Sequence, residues 1–172
     1  MSVLSRLLGR SRIDRRRLLP LYDAVVAEAR DPAWYRAGQV PDTVDGRFDM
    51  VTAVLALVLL RLEREAGDDA PLASAQLTEL FVEDMDGSLR QMGIGDLMVG
   101  KHIGNMMGAL GGRVGAFRDS QDGFAAAASR NIFHDAPPSD AALDAVASRL
   151  RRLHVDLDAL PAAQLLDGRL RP

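Results

Sequence analysis

The run from Met50 to Leu60, Met-Val-Thr-Ala-Val-Leu-Ala-Leu-Val-Leu-Leu, is the strongest constraint on the fold of this chain, because it is apolar for eleven residues between Asp49 and Arg61. It is well short of the ~20 residues a membrane-crossing helix needs. From Phe48 to Leu62 nearly every side of such a helix is apolar, so other segments must surround it. The rest of the chain supplies them. Leu18, Tyr22, Val25, Val26 and Ala29 follow the 3.6-residue period of a helix that starts near Pro20 and ends before Asp31-Pro32. A short aromatic segment with Trp34 and Tyr35 follows, and Gly38 to Asp45 reads as a loop that ends with Asp45 as N-cap of the central helix and Asp49 in its first turn.

After the turn at Gly67 to Pro71, Leu77, Leu80, Phe81, Met85, Leu89 and Met92 share one side of a third helix. Gly93-Ile94-Gly95 forms a tight turn into a fourth, from Asp96 to Arg118, with Val99, Ile103, Met106, Leu110, Val114 and Phe117 on its apolar side. Two amphipathic helices with so short a link are expected to pack antiparallel. Further helices are expected over 121–133, over 139–153 with Ser139 as N-cap, and after Pro161. No stretch alternates with period two. The expected fold is all-α: one helical bundle of about six to seven helices around a central apolar helix, within the size range of roughly 100 to 200 residues for one domain.

Charge divides the 172 residues unevenly. Six arginines and one aspartate occupy the first twenty positions, whereas the remainder carries a clear acidic excess within a net charge of −3. Residues 1–19 are therefore expected to form a basic arm, and 20–172 the helical domain. Leu4, Leu7 and Leu8 with Arg6 and Arg10 make a pattern suited to an anionic membrane surface, where each basic residue contributes roughly 1 kcal/mol. Arg6 interrupts any secretory apolar run, so the expected location is cytoplasmic, peripheral to the inner face of the membrane.

Candidate chemistry is sparse. Cysteine is absent and histidine is limited to His102, His134 and His154, which removes thiolate metal sites and disulfides. The acidic segment Glu83-Asp84-Met85-Asp86 does not converge on a helix: Glu83 and Asp86 fall on the solvent flank, and Asp84 nearer the apolar side is expected to pair with Arg90 or Lys101. Gly93-Ile94-Gly95 completes no phosphate-binding motif, and no serine, histidine and acid share a triad pattern. No catalytic residue, metal ligand, cofactor or specific nucleic-acid partner is assigned. The alternative class, a small helical haem or quinone protein, would need a ligand such as His102 facing a cavity.

The fourth helix is unusual in its glycines. Gly100, Gly104, Gly108, Gly111 and Gly115 form a stripe rotated by roughly 120° from the apolar side, each costing about 1 kcal/mol relative to alanine. Met85, Met92, Met98, Met106 and Met107 lie in the same hairpin. Two readings stand: close packing within the bundle itself, or a groove for an apolar client helix.

Asp42-Thr43-Val44-Asp45-Gly46-Arg47-Phe48-Asp49, Phe81-Val82-Glu83-Asp84-Met85-Asp86, Leu89 to Leu97 and Val99-Gly100-Lys101 together resemble the ubiquinol-cytochrome c chaperone family over about Leu21 to Phe117. The segment Ala109 to Arg113 departs from that pattern, which has a bulkier aromatic before the Gly-Arg pair. The resemblance implies a non-enzymatic assembly factor that attends newly made cytochrome b, or another intermediate of the bc1 complex, and in mitochondria works at the inner membrane with a small partner protein. It points to Asp42, Asp45, Arg47 and Asp49 at the start of the central helix and to Asp84, Asp86, Arg90, Asp96, Lys101, Met106 and Met107 on the hairpin as client- or partner-binding residues.

Overall fold

The structure, a computed structural model, describes residues 15–65, 69–119, 123–134 and 136–172. Leu4, Arg6, Leu7, Leu8 and Arg10, expected to touch a membrane, lie outside the described residues. A 3-10 turn, Arg15–Leu18, leads into α1 (Leu19–Ala29), then α2 (Pro32–Arg36), α3 (Val44–Glu63), α4 (Asp69–Gln91) and α5 (Asp96–Arg118). The chain continues through α6 (Phe124–Ala128), a π-helical turn (Ser129–Phe133), α7 (Asp140–Ala159) and α8 (Ala162–Leu166). No strand occurs among the described residues, and none of their helices is long and apolar enough to cross a membrane.

Helix α3 buries every residue from Asp49 to Leu62. Helices α1, α4, α5 and α7 enclose it, with α5 making the most extensive contact. Its N-cap lies two residues earlier than expected. Thr43, in extended backbone, is the N-cap, and its Oγ1 accepts from the Gly46 amide at 3.1 Å. Asp45 instead sits inside the first turn, where the amide dipoles favour its charge. Gly46 is required sterically, since a Cβ there would stand 2.0 Å from the Pro41 carbonyl oxygen.

Polar groups at the rim hold the outer helices to this core. Arg61, buried in α3, donates from Nε to the Leu157 carbonyl at 2.9 Å and from Nη2 to the Leu160 carbonyl at 2.8 Å, satisfying acceptors at the end of α7. Trp34, on a segment that folds as a short helix capped by Asp31, donates from Nε1 to the Glu28 carbonyl at 2.8 Å. Arg149 stacks over its ring at 4.2 Å and pairs with the buried Glu28 at 3.0 Å, which Arg171 reaches from the C-terminus at 2.7 Å. Ser139 caps α7 as its sequence suggests, through the Ala142 amide at 3.3 Å.

Leu57 has no exposed surface and lies at the centre of α3. Leu57→Ala is expected to lower unfolding free energy by about 3 kcal/mol, measured by urea denaturation; a loss near zero would remove α3 from the centre of the core.

Candidate functional site

Helices α4 and α5 form a hairpin whose turn contains Gly93 at φ 81°, a left-handed conformation that glycine adopts without strain. Of the 23 residues of α5 only Val99, Leu110, Arg113 and Phe117 are buried. Ile103, Met106, Met107 and Val114 are partly covered at the margins of that contact. The opposite side is bare. Gly100, Gly104, Gly108 and Gly111 are exposed, Gly115 is partly covered, and a Cβ built on any of them meets nothing within 4 Å. Among the described residues, therefore, these glycines provide no close packing within the bundle.

Leu97 continues the same face. Leu97, Gly100, Gly104, Gly108 and Gly111 are spaced 3, 4, 4 and 3 residues apart, which places them along one side of a helix. Leu97 is 95% exposed, and Met92 and Met98 beside it at the hairpin turn are about half exposed. Met92 departs from the expectation of a buried helical position, because α4 ends at Gln91 and the turn carries Met92 outward. Lys101 is exposed on the flank of the face and Met107 lies partly covered along its edge, whereas Met106 falls on the core side of α5 with Leu110 and Phe117.

The other anticipated residues divide among three places. At the hairpin turn Arg90 bridges Asp86, 2.7 Å from Nε to Oδ2, and Asp96, and the two carboxylates, Asp86 first, push the arginine pKa up. Between α1 and α4, Asp84 accepts from the Tyr22 hydroxyl at 2.7 Å, not from Arg90 or Lys101 as expected, because α1 and not α5 faces that side of α4. Burial and then this hydrogen bond push the Tyr22 pKa up. At the start of α3, Arg47 donates from Nε to Asp42 Oδ1 at 2.6 Å, which holds the Asp42 carboxyl below its usual range. Glu83, on the solvent flank, pairs with Arg15. Among the described residues no group of three or more His, Cys, Asp or Glu could hold a metal ion.

Asp49 faces inward. Its Oδ1 accepts from Arg113 Nη2, its Oδ2 lies 3.0 Å from His134 Nε2, and both Asp49 and Arg113 are almost fully buried. Arg113 also donates to the Asn131 carbonyl at the π-helical turn and lies 5.8 Å over the Phe48 ring. Burial pushes the Asp49 carboxyl up against the opposing pull of Arg113 and His134, and burial likewise pushes the Arg113 guanidinium down. The pair joins α3 to α5 in the core, so Asp49 is closed to a partner as the molecule stands. Sequence reasoning missed Arg113 and His134 as its partners. The available signal was the arginine at position 113 on the apolar side of α5, three residues after Leu110 and four before Phe117.

A helical bundle that encloses its core yet leaves one long helix face bare has the surface of a chaperone, a protein that covers part of another chain. Residues 36–172 match the family model described as Ubiquinol-cytochrome C chaperone, and the chain belongs to that family. The match continues through the C-terminal helices, well beyond Phe117 where the resemblance of the sequence motifs stops. Among solved structures the chain is similar to the crystal structure of the Cbp3 homolog from Brucella abortus, at 26% identity and TM-score 0.74, over 97% of this chain and 94% of that one. No curated protein matches.

Two outcomes follow from the geometry. Gly104→Ala and Gly108→Ala should each raise stability by roughly 0.5 to 1 kcal/mol, because an exposed helical glycine with open space gains helix propensity and loses nothing; thermal unfolding measures this, and a decrease would mean that the fold itself needs the bare backbone. Asp49→Asn should lower stability by about 3 to 5 kcal/mol, since it leaves the Arg113 charge buried and unbalanced, and urea denaturation of the variant gives the value.

Proposed function

We propose that the chain is an assembly chaperone for the bc1 complex that receives an apolar helix of newly made cytochrome b against the outer face of α5. The observation that carries this reading is the bare glycine face itself. Five glycines forgo helix stability of about 1 kcal/mol each relative to alanine, and nothing among the described residues uses the space they leave. A second helix can use it, because missing side chains let two backbones approach closely enough for extended van der Waals contact, the main attraction left between helices that carry apolar side chains on all sides.

Leu97, Met92 and Met98 then supply a deformable apolar lip at one end of the face, and Met107 lines its edge, with Met106 behind it against the core. Lys101 and the Asp86–Arg90–Asp96 network form a charged rim that keeps such a surface soluble and orients the polar end of a client helix. The work is non-enzymatic in this reading: binding delays aggregation of an apolar segment until it packs into its complex. The basic arm with Leu4, Arg6, Leu7, Leu8 and Arg10 would keep the protein peripheral to the inner face of the membrane where cytochrome b is inserted.

The test is capture of cytochrome b from gently solubilised membranes by the wild-type chain and by a Gly104→Leu, Gly108→Leu variant. Leucine is a good helix former and the space at both positions is open, so the variant should keep its fold while filling the face. Wild type should enrich cytochrome b and the variant should lose about tenfold or more of that enrichment; equal capture by both would place the client elsewhere, and no capture by either would remove the proposed client.

A further inference from the structure

A half-open cavity of about 350 Å³ lies where the end of α1, the short helix α2 and the start of α3 meet, lined by Arg30, Pro32, Tyr35, Arg36, Asp42 and Arg47. No α5 residue takes part in it. Three of its six lining residues are arginines and one is an acid, an excess of two positive charges on a chain whose net charge is −3. Among the described residues neither Arg30 nor Arg36 has a carboxylate within ion-pair distance, and the ion-pair partner of Arg47 is Asp42 at 2.6 Å. Asp31, next to the cavity in sequence, does not offset this charge, since its carboxylate accepts from the Ala33 amide at 2.8 Å and pairs with Arg149 at 2.5 Å.

Arg30 follows α1, Arg36 ends α2 and Arg47 lies near the start of α3, and all three line this one cavity. The Tyr35 hydroxyl donates to the Ala29 carbonyl at 2.8 Å and so is fixed in the wall. Burial pushes its pKa up; Arg47 opposes that rise, Asp42 adds to it and Arg30 again opposes it. Three like charges gathered with one counter-charge, Asp42, still repel one another, so an anion entering between them relieves that repulsion. Planar guanidinium forks match the oxygens of phosphate in pairs, which a single ammonium group does not do. Pro32 and the Tyr35 ring give the cavity one apolar wall, suited to the carbon attached to a phosphate ester.

We propose that this cavity is a binding site for a phosphate-bearing anion held between Arg30, Arg36 and Arg47. The same chemistry is offered by free phosphate and by the headgroup of an anionic phospholipid. In both cases Asp42 competes for Arg47, so the site is tuned down by its own acid. The assignment is independent of the α5 face and stands or falls without it.

The full chain is titrated with inorganic phosphate against chloride at matched ionic strength, following the emission of Trp34, the sole tryptophan, which lies in α2 between Pro32 and Arg36. In parallel it is sedimented with phosphatidylcholine vesicles that contain or lack phosphatidylglycerol. The comparison chain is Arg30→Gln, Arg36→Gln, which changes two exposed side chains and leaves the N-terminal arm intact, so any vesicle binding by the arm is common to both. Saturable phosphate binding that weakens about tenfold in the variant assigns the site to free phosphate. No phosphate binding, with weaker sedimentation of the variant on phosphatidylglycerol vesicles, assigns it to a lipid headgroup. Asp42→Asn frees Arg47 and should tighten whichever binding is seen. Identical behaviour of wild type and the double variant in both assays, or weaker binding by Asp42→Asn, overturns the proposal.

Discussion

Complete burial of α3 is the constraint on which the remaining architecture depends. A helix that hides every side chain from Asp49 to Leu62 has no solvent face of its own, so four other helices must be placed around it, and each gains its stability by covering part of it. The polar residues in that stretch show how strictly the demand is met. Thr52 donates back to the Phe48 and Asp49 carbonyls, Arg61 spends its donors on the end of α7, and Asp49 takes Arg113 from α5. Breaking the last of these leaves a charge in a dry interior, a larger penalty than the pair's own attraction. The enclosure fixes α5 by one side, through Val99, Leu110, Arg113 and Phe117, and thereby determines which of its sides faces outward.

That outward side is where structure and stability part company. Ordinary surface helices carry charged and long side chains that favour the helix; α5 carries glycine at Gly100, Gly104, Gly108 and Gly111, with Leu97 fully out in solvent at the head of the row. Among the described residues nothing packs against this arrangement. A family membership that assigns the chain to the ubiquinol-cytochrome c chaperones supplies the reason to look outward: a chaperone's surface is shaped by a chain it holds only transiently. The Met-rich hairpin turn belongs to the same logic, because thioether side chains accept apolar partners of varied shape.

Much of the fold was legible before any coordinates. Periodicity placed α5 at its observed boundaries and Ser139 at the N-cap of α7, and the all-round apolar run identified α3 as the element to be surrounded. Errors arose where a local rule had two candidates. Thr43 and Asp45 both precede the apolar run, and it is the Thr43 side chain that accepts from the Gly46 amide, at a glycine that Pro41 approaches too closely for any Cβ. Asp84 was expected to pair with Arg90 or Lys101, yet Tyr22 from α1 holds it, a contact between residues 62 apart that no local pattern encodes. The same holds for Asp49, whose partners Arg113 and His134 lie 64 and 85 residues away. Of the glycine face, the sequence supplied the stripe and both of its readings; only the packing of α5 on α3 decides that the stripe points away from the core.

The central claim is that this bare face of α5 meets the client directly. Its most direct test is site-specific photo-crosslinking during synthesis of cytochrome b, with a photoreactive phenylalanine derivative at position 104 on α5 and, for comparison, at the exposed position 155 on α7. An adduct with cytochrome b from position 104 and none from position 155 is the expected result. Adducts from position 155 alone, or equal adducts from both, would contradict the account and move the client to another surface of the bundle.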